Sequence, residues 1–436
     1  MPIMTTESRR GDLEVHDIAN GNLFTEMYAD TVLFDHSIRD WRIWEGGRWE
    51  RDDRNQIQEL AKITAYRIRD MAEDLGTKEL QQRAAASLSM HGVRNMLLSA
   101  QSMPELSVTA AGLDANPLLF NVRNGTLELD TGVFREHRPG DRITMVAGCD
   151  YDPDADAPEF RRCLETYWPE PGGHDRDARE FLTRCMGYCL SGLNTEKLFM
   201  LLLGTGDTGK TTFMKAVEAT WGDYFRTADW STFAQQRDGD SNKHRTDLVR
   251  LAGARIVSAS EGDEGCRMSD GILKRVTGRT NIIVRDLHSK PFSMPPSFKI
   301  FLDTNHFPWF NPLDQAMWNR IVQVYFRHVI SLAAQQAFRK RYGDLDQVLA
   351  SEASGILNLA LEGTPVTAYD TGVARACASD PMLVSAPTTR MLHLPAIAPV
   401  LSGRAVRLEP LALEHLPRLT AVALADSSIF DDFLVP

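Results

Sequence analysis

The chain has 436 residues, of which 43% are hydrophobic and 25% are charged, so it is long enough for two or three domains with buried cores. Its net charge of −11 argues against a basic outer surface that coats nucleic acid, although a basic channel inside an oligomer would need only a few lysines per subunit. The N-terminal segment lacks the apolar core of a signal peptide, which argues against secretion, and no stretch approaches ~18 apolar residues, which argues against a membrane span. The six cysteines form no CxxC pair, which argues against a zinc site and favours a cytoplasmic protein.

The first third of the chain predicts two hairpins separated by helices. The stretch WRIWEGGRWE places aromatic residues on both sides of Gly46 and Gly47, which is typical of a hairpin. Residues 52–103 have apolar positions three and four apart, which predicts helices. Two strand-like runs then flank Asn124 and Gly125, a strong signal for a second hairpin.

The rest of the chain predicts an α/β fold followed by a different tail. Residues 149–160 are acidic and contain proline, as in a linker, and helical segments follow over 159–190. Strands and helices alternate over 198–326, which predicts a three-layer α/β/α sandwich after a mixed α+β N-terminal domain. No lysine occurs beyond about residue 364, where proline, alanine and leucine become more frequent.

The stretch LFMLLLGTGDTGKTTFMKA matches the pattern GxxxxGK[ST] between an apolar run and a helical pattern. Glycines let backbone N–H groups turn toward phosphate oxygens, and the start of a helix adds partial positive charge. Lys210 would reach the β- and γ-phosphates of ATP, and the Thr211 hydroxyl would bind Mg²⁺. The predicted nucleotide-binding residues are Gly204, Thr205, Gly206, Asp207, Thr208, Gly209, Lys210, Thr211 and Thr212.

Polar residues in three later stretches are candidates for catalysis. Glu261 ends the apolar run ARIVSAS and would hold the Mg²⁺ or polarise the attacking water, with Glu264 as a less certain partner that could equally be a solvated loop acid. Asn305 follows the strand-like run FKIFLD and would orient that water or contact the γ-phosphate. Arg320 begins another apolar strand and could project into a neighbour's nucleotide site in a ring, or be purely structural.

These elements, in this order, resemble a superfamily 3 helicase. Flanking stretches such as WRIWEGGRWERDD, FLTRCMGYCLSG and FKIFLDTNHFPWF look like the helicase module of phage and plasmid primase–helicases, which are similar to the poxvirus replicative NTPase. The resemblance covers roughly residues 15–365. It implies an AAA+-like ATPase domain that assembles as a hexameric ring around single-stranded or forked DNA. The chain would then unwind DNA for a phage, prophage or plasmid in a bacterial cytoplasm.

The resemblance also implies a pore hairpin between the strands that end at Glu261 and Asn305. Within IIVRDLHSKPFSM, Lys290 and His288 are the candidates to contact DNA phosphates, although they could instead be a solvated hairpin tip. One departure concerns the residues before the last strand, where many relatives have two arginines and this chain has Asn319 before Arg320. The arginine-finger role is therefore an expectation that this departure puts in question.

Together with a separate likeness in the tail, the resemblance divides the chain into four segments. These are an N-terminal α+β domain (1–155), the ATPase domain (156–335), a helical, partly degenerate tail (336–390), and a fragment (391–436) that looks like the first strand and helix of a GNAT acetyltransferase without its acetyl-CoA loop. Relatives often carry a primase domain upstream, so we expect a separate primase or host replication proteins as partners.

Two alternatives stay open on the sequence alone. A DNA-binding ATPase that loads or recruits replication factors without unwinding would share the same motifs. A metabolite kinase would turn over without DNA and remain monomeric, but the spacing from Lys210 to Glu261 with the later Asn305 and Arg320, and the lack of any second-substrate signal, argue against it.

Overall fold

The computed structural model describes residues 15–169, 173–235, 246–260, 265–284 and 292–363. The candidates Glu261, Glu264, His288 and Lys290 lie outside the described residues, as does the GNAT-like fragment. Across the described part of the chain, the helices are too short or too polar to cross a membrane.

The N-terminal part combines a helical layer with a small mixed sheet. Strand β2 pairs with β3 in antiparallel orientation, and Trp44 lies opposite Trp49, which confirms the first predicted hairpin. The order of the strands in this sheet is β3-β2-β1-β4. The helices bury apolar residues such as Phe24 and Met96 against this sheet. The elements are α1 (Asp17–Tyr28), β1 (Val32–Asp35), β2 (Asp40–Trp44), β3 (Trp49–Arg51), α2 (Gln56–Leu75), α3 (Lys78–Ser87), α4 (Met90–Ala100) and β4 (Ser107–Val108).

A three-stranded antiparallel sheet and two helices follow. Val122 pairs with Gly125 across a two-residue connection, which confirms the second predicted hairpin. Helical structure was also predicted over 159–190, and two helices occupy most of that range. The elements are β5 (Leu119–Val122), β6 (Gly125–Glu128), β7 (Val133–Arg135), α5 (Pro158–Tyr167) and α6 (Gly173–Tyr188).

The centre of the fold is a five-stranded sheet in which every neighbouring pair is parallel, with the order β14-β8-β13-β10-β9. This confirms the predicted α/β class. The remaining elements are β8 (Phe199–Leu203), α7 (Lys210–Trp221), β9 (Phe225–Thr227), α8 (Thr246–Val249), β10 (Ile256–Ser260), α9 (Asp270–Val276), β11 (Ile282–Val284), β12 (Phe292–Met294), β13 (Lys299–Thr304), α10 (Gln315–Trp318), β14 (Ile321–Tyr325), α11 (Leu332–Tyr342), α12 (Leu345–Ser351) and α13 (Ala353–Glu362).

Both faces of the parallel sheet are covered, because successive side chains of a strand point to opposite faces. In β8, Met200 and Leu202 join a core with α5, α6, α7 and α13. Phe199, Leu201 and Leu203 of the same strand join a second core with α9 and the β11–β12 hairpin. The continuous apolar run LFMLLL is therefore explained by burial on two sides, which fixes the end of β8 between two helical layers.

The predicted linker is irregular over 149–157 but is not loosely attached. Ser354 Oγ donates a 2.8 Å hydrogen bond to the carbonyl of Asp150, and Asn358 Nδ2 donates one of 2.8 Å to the carbonyl of Asp152. Both donors lie on α13, so this segment is anchored to a helix about 200 residues later in the sequence.

Candidate functional site

The glycine-rich loop joins the carboxyl end of β8 to the start of α7. Strand β8 ends at Leu203 and α7 begins at Lys210, so the strand–loop–helix context predicted from the motif is present. Gly209 is the N-cap of α7 with a φ of 92°, and no side chain caps the helix. The first N–H groups of a helix have no intrahelical acceptor and carry partial positive charge. This end of α7 thus offers donors to an anion.

Two of the three glycines are required by close packing. A Cβ on Gly209 would lie 2.1 Å from Cε1 of Tyr167, and one on Gly204 would lie 2.5 Å from the carbonyl oxygen of Phe326. Nothing lies within 4 Å of a Cβ on Gly206, which faces open space. The loop is therefore pressed against its surroundings at both ends and open in the middle, as a loop that receives a ligand must be.

Hydrogen bonds fix the loop's shape. Thr208 Oγ1 donates to the Thr205 carbonyl at 3.0 Å, which closes a turn inside the loop. The backbone N–H of Ile330, beyond the end of β14, donates to the carbonyl of Asp207 at 2.8 Å. Asp207 has a φ of 59°, a conformation that aspartate tolerates better than most residues. The loop is thus held to the segment that follows β14.

Lys210 is the centre of the site. Its side chain is only 8% exposed. Its Nζ donates to the carbonyls of Gly204 (2.6 Å) and Thr205 (3.0 Å) and to Oδ1 of Asn305 (3.2 Å). Burial lowers the pKa of Lys210, and the nearby Asp303 carboxylate acts in the opposite direction. The ammonium is therefore aimed into the loop and toward the end of β13.

The end of β13 supplies two polar side chains on one face. Asp303 Oδ1 lies 3.8 Å from Lys210 Nζ, and Asn305, the first residue after β13, has its Oδ1 3.2 Å from the same Nζ. Asn305 was predicted from the sequence, whereas Asp303 was missed. The signal was the i, i+2 spacing in LDTN, because alternate positions of a strand share a face and Phe301, two residues earlier, lies in the core beside α7.

The loop and the end of β13 enclose one cavity of about 520 Å³, within the usual range for small-molecule sites. It brings together most of the predicted nucleotide-binding residues with Asn305. Thr211, the predicted metal ligand, is among the lining residues. The lining residues are Gly206, Asp207, Thr208, Gly209, Lys210, Thr211, Thr212, Asp303, Thr304, Asn305 and His306.

The predicted acids follow, in the sequence, the strand β10, which pairs with β13. Strand β10 ends at Ser260, whose register partner on β13 is Asp303. Glu261 is the next residue in the sequence, and it lies outside the described residues. Two side chains that line the cavity, the Thr211 hydroxyl and the Asp303 carboxylate, carry oxygen atoms of the kind that Mg²⁺ binds, directly or through water. The residues present therefore fit a magnesium-bound nucleotide.

Arg320 does not join this cavity within one chain. Its carbonyl accepts from the N–H of Phe199, the first residue of β8, whereas the loop follows Leu203, the last. Five strand residues at ~3.3 Å each separate the two ends by roughly 15 Å. Its Nη1 donates to the carbonyl of Ala316, and its Nε is buried with no hydrogen-bond partner among the described residues.

The predicted pore hairpin has the expected strand pairing. Strands β11 and β12 are antiparallel, with Ile282 opposite Met294. Both of these side chains are buried, whereas Ile283 between them is 78% exposed. Lys290 and His288 belong to the connection between the strands, outside the described residues.

A comparison with known protein families finds a match in the N-terminal part of the chain. Residues 21–169 match the family described as "D5 N terminal like". The matched segment ends in the region of α5, before the phosphate loop begins. The family match therefore concerns the N-terminal part of the chain.

Curated viral proteins match a larger part of the chain at low identity. A protein named "Putative helicase L207/L206" from Acanthamoeba polyphaga mimivirus is 29% identical over 49% of this chain and 22% of its own length. "Primase D5" of Fowlpox virus is 21% identical over 57% of this chain and 32% of its own length. The chain thus spans about a fifth to a third of these relatives. Among solved structures, the apo C-terminal region of NrS-1 has a TM-score of 0.44 at 10% identity, covering 82% of this chain and 73% of that one.

Proposed function

We propose that this chain is an ATP-dependent DNA helicase motor of superfamily 3, with an AAA+-like ATPase domain, that works as a hexameric ring in the replication of a phage, prophage or plasmid. The observation that carries the proposal is the meeting of Lys210 with Asn305 at the mouth of a glycine-rich loop, between neighbouring parallel strands. Similarity to proteins named as helicases and primases supports DNA as the second ligand.

The chain's own groups account for the binding of ATP. The N–H groups of residues 204–212 would surround the phosphates, and Lys210 would exchange its carbonyl acceptors for phosphate oxygens. Thr211 and Glu261 would hold Mg²⁺, which neutralises charge on the phosphates when bound. Glu261, with Glu264 near it, would polarise the attacking water that Asn305 orients.

An arginine supplied by a neighbouring copy would complete the site. Because Arg320 lies at the opposite end of the sheet from its own phosphate loop, an action on the nucleotide would require another subunit. An arginine finger of this kind contributes ~10³–10⁵ in rate. The need for a second copy agrees with a ring in which each subunit completes the next site.

DNA would be bound by the β11–β12 hairpin. One hairpin from each subunit, carrying Lys290 and His288, would line a central channel with positive charge despite the net charge of −11. The exposed Ile283 sits on this hairpin. Lys290→Ala should weaken binding of single-stranded DNA while basal ATP hydrolysis is retained, whereas unchanged affinity would remove the hairpin from the DNA path.

The decisive experiment measures strand separation beside ATP hydrolysis. A forked duplex with a fluorophore and a quencher at its blunt end is mixed with the protein and Mg²⁺–ATP, with Lys210→Ala as the control. ATP-dependent fluorescence that the control lacks would establish unwinding. DNA-stimulated hydrolysis without strand separation would instead establish a loading or recruiting ATPase, and hydrolysis indifferent to DNA would contradict both.

A further inference from the structure

Asp303 lies in the cavity, but the hydrolysis step proposed above gives it no role. It is the penultimate residue of β13, and its Cα is paired with Leu202 on β8 and with Ser260 on β10. Its side chain is 12% exposed, and its Oδ1 lies 3.8 Å from Lys210 Nζ. A largely buried carboxylate therefore lines the cavity beside Lys210, whose ammonium faces the loop.

A buried carboxylate opposes the entry of a free triphosphate. ATP without metal carries several negative charges, and like charges repel strongly in a poorly solvated site. The free nucleotide would also compete with Asp303 for the same Lys210 ammonium. ATP bound to Mg²⁺ carries less net charge, and carboxylate oxygens accept hydrogen bonds from metal-bound water. Asp303 therefore penalises one form of the nucleotide and favours the other.

We propose that Asp303 is the specificity-determining residue that makes this site select the magnesium complex of the nucleotide over the free nucleotide. The inference rests on the proposed function, since it concerns the same cavity. Asp207 gives a comparison within the site, because its carboxylate borders the same cavity but is exposed and water screens its charge. The position of the carboxylate beside Lys210, rather than negative charge in general, sets the selectivity.

The test compares ATP affinity in excess EDTA with affinity in excess Mg²⁺, measured by calorimetry on the full chain. Asp303→Asn keeps the shape of the side chain and removes its charge. We expect this variant to bind metal-free ATP more tightly. The ratio of the dissociation constant in EDTA to the dissociation constant in Mg²⁺ should then fall by about tenfold. Asp207→Asn should change that ratio much less, and Asp303→Glu should keep it near that of the unsubstituted chain. The unfolding temperature of each variant reports whether the fold is intact.

The outcomes separate this inference from the function on which it rests. ATP binding by the unsubstituted chain, with the same ratio in Asp303→Asn, would overturn the role of Asp303 and leave the nucleotide site standing. An equal fall of the ratio in Asp207→Asn would also overturn it, because general charge would then be the cause. Failure of the unsubstituted chain to bind ATP in either buffer would overturn the proposed function itself.

Discussion

Lys210 Nζ donates a 3.2 Å hydrogen bond to Oδ1 of Asn305, a residue 95 positions later in the chain. The contact joins the loop after β8 to the end of β13, the neighbouring parallel strand. Carboxyl ends of neighbouring parallel strands form the edge where open α/β sheets bind ligands. The two residues that the sequence identified by separate arguments thus lie in one cavity.

Replacing Lys210 should abolish nucleotide binding and hydrolysis. Lys210→Ala removes the only described ammonium that lines the cavity. We expect ATP hydrolysis to fall to background, measured as phosphate release. Lys215→Ala is the matched control, because Lys215 lies on the same helix with a side chain 53% exposed and pairs with Asp346. Hydrolysis that survives in Lys210→Ala would contradict the assigned site.

The two ends of the phosphate loop should respond differently to added methyl groups. Gly209→Ala places a Cβ 2.1 Å from Tyr167 at a φ of 92°, so we expect it to lower the free energy of unfolding by ~1–3 kcal/mol. Gly206→Ala meets no atom within 4 Å and should leave that free energy nearly unchanged. Chemical denaturation of both variants gives the comparison, and equal stability would contradict the packing described for Gly209.

Arg320 should act across subunits. Arg320→Ala alone should reduce hydrolysis by ~10³–10⁵-fold if the residue is a finger. Mixing Arg320→Ala subunits with Lys210→Ala subunits should restore part of the activity, because some sites then combine an intact lysine with a neighbour's arginine. Lys210→Ala subunits mixed with subunits that carry both substitutions should stay inactive. Absence of rescue would leave Arg320 with a structural role only.

Lys299 should make the free energy of unfolding rise as the pH increases above about 7. Its Nζ donates to the carbonyl of Ser191 and lies 4.3 Å from the centre of the Tyr188 ring, and burial lowers the pKa of Lys299 to about 7. Between that value and the ordinary lysine pKa near 10.5, the unfolded chain binds a proton that the folded chain does not, so stability rises with pH. Relative to Lys299→Met, the unsubstituted chain should gain at most about 1.4 kcal/mol per pH unit above pH 7.

The measurement is denaturant unfolding of both proteins from pH 7 to pH 10. Lys340→Met serves as the control for the loss of a lysine side chain, because Lys340 is exposed. If the unfolding free energies of Lys299→Met and of the unsubstituted chain change with pH in parallel, Lys299 is not neutral in the folded state.

Local patterns predicted most of what positions the site. The motif around Gly204 and Lys210 specifies strand, loop and helix within a few residues, and the glycine-centred hairpins are equally local. Asn305 was found because it ends an apolar run. In each case the evidence lay within about ten residues of the feature that it predicted.

The features that sequence reasoning missed depend on long-range placement. Asp303 interrupts a buried strand, and only the register of β13 between β8 and β10 puts its carboxylate beside Lys210. The anchoring of the segment at Asp150 requires Ser354, on a helix about 200 residues later. The i, i+2 spacing in LDTN indicates that Asp303 and Asn305 share a face, but which distant residue that face meets is set by packing between segments far apart in the sequence.

The most direct test of the proposed motor is ATP hydrolysis with and without single-stranded DNA, with particle mass recorded on the same sample. We expect a hexamer whose turnover rises when DNA is added, because the neighbour's Arg320 completes each site and DNA occupies the channel. A monomer that hydrolyses ATP at the same rate with and without DNA would contradict it and point to a metabolite kinase.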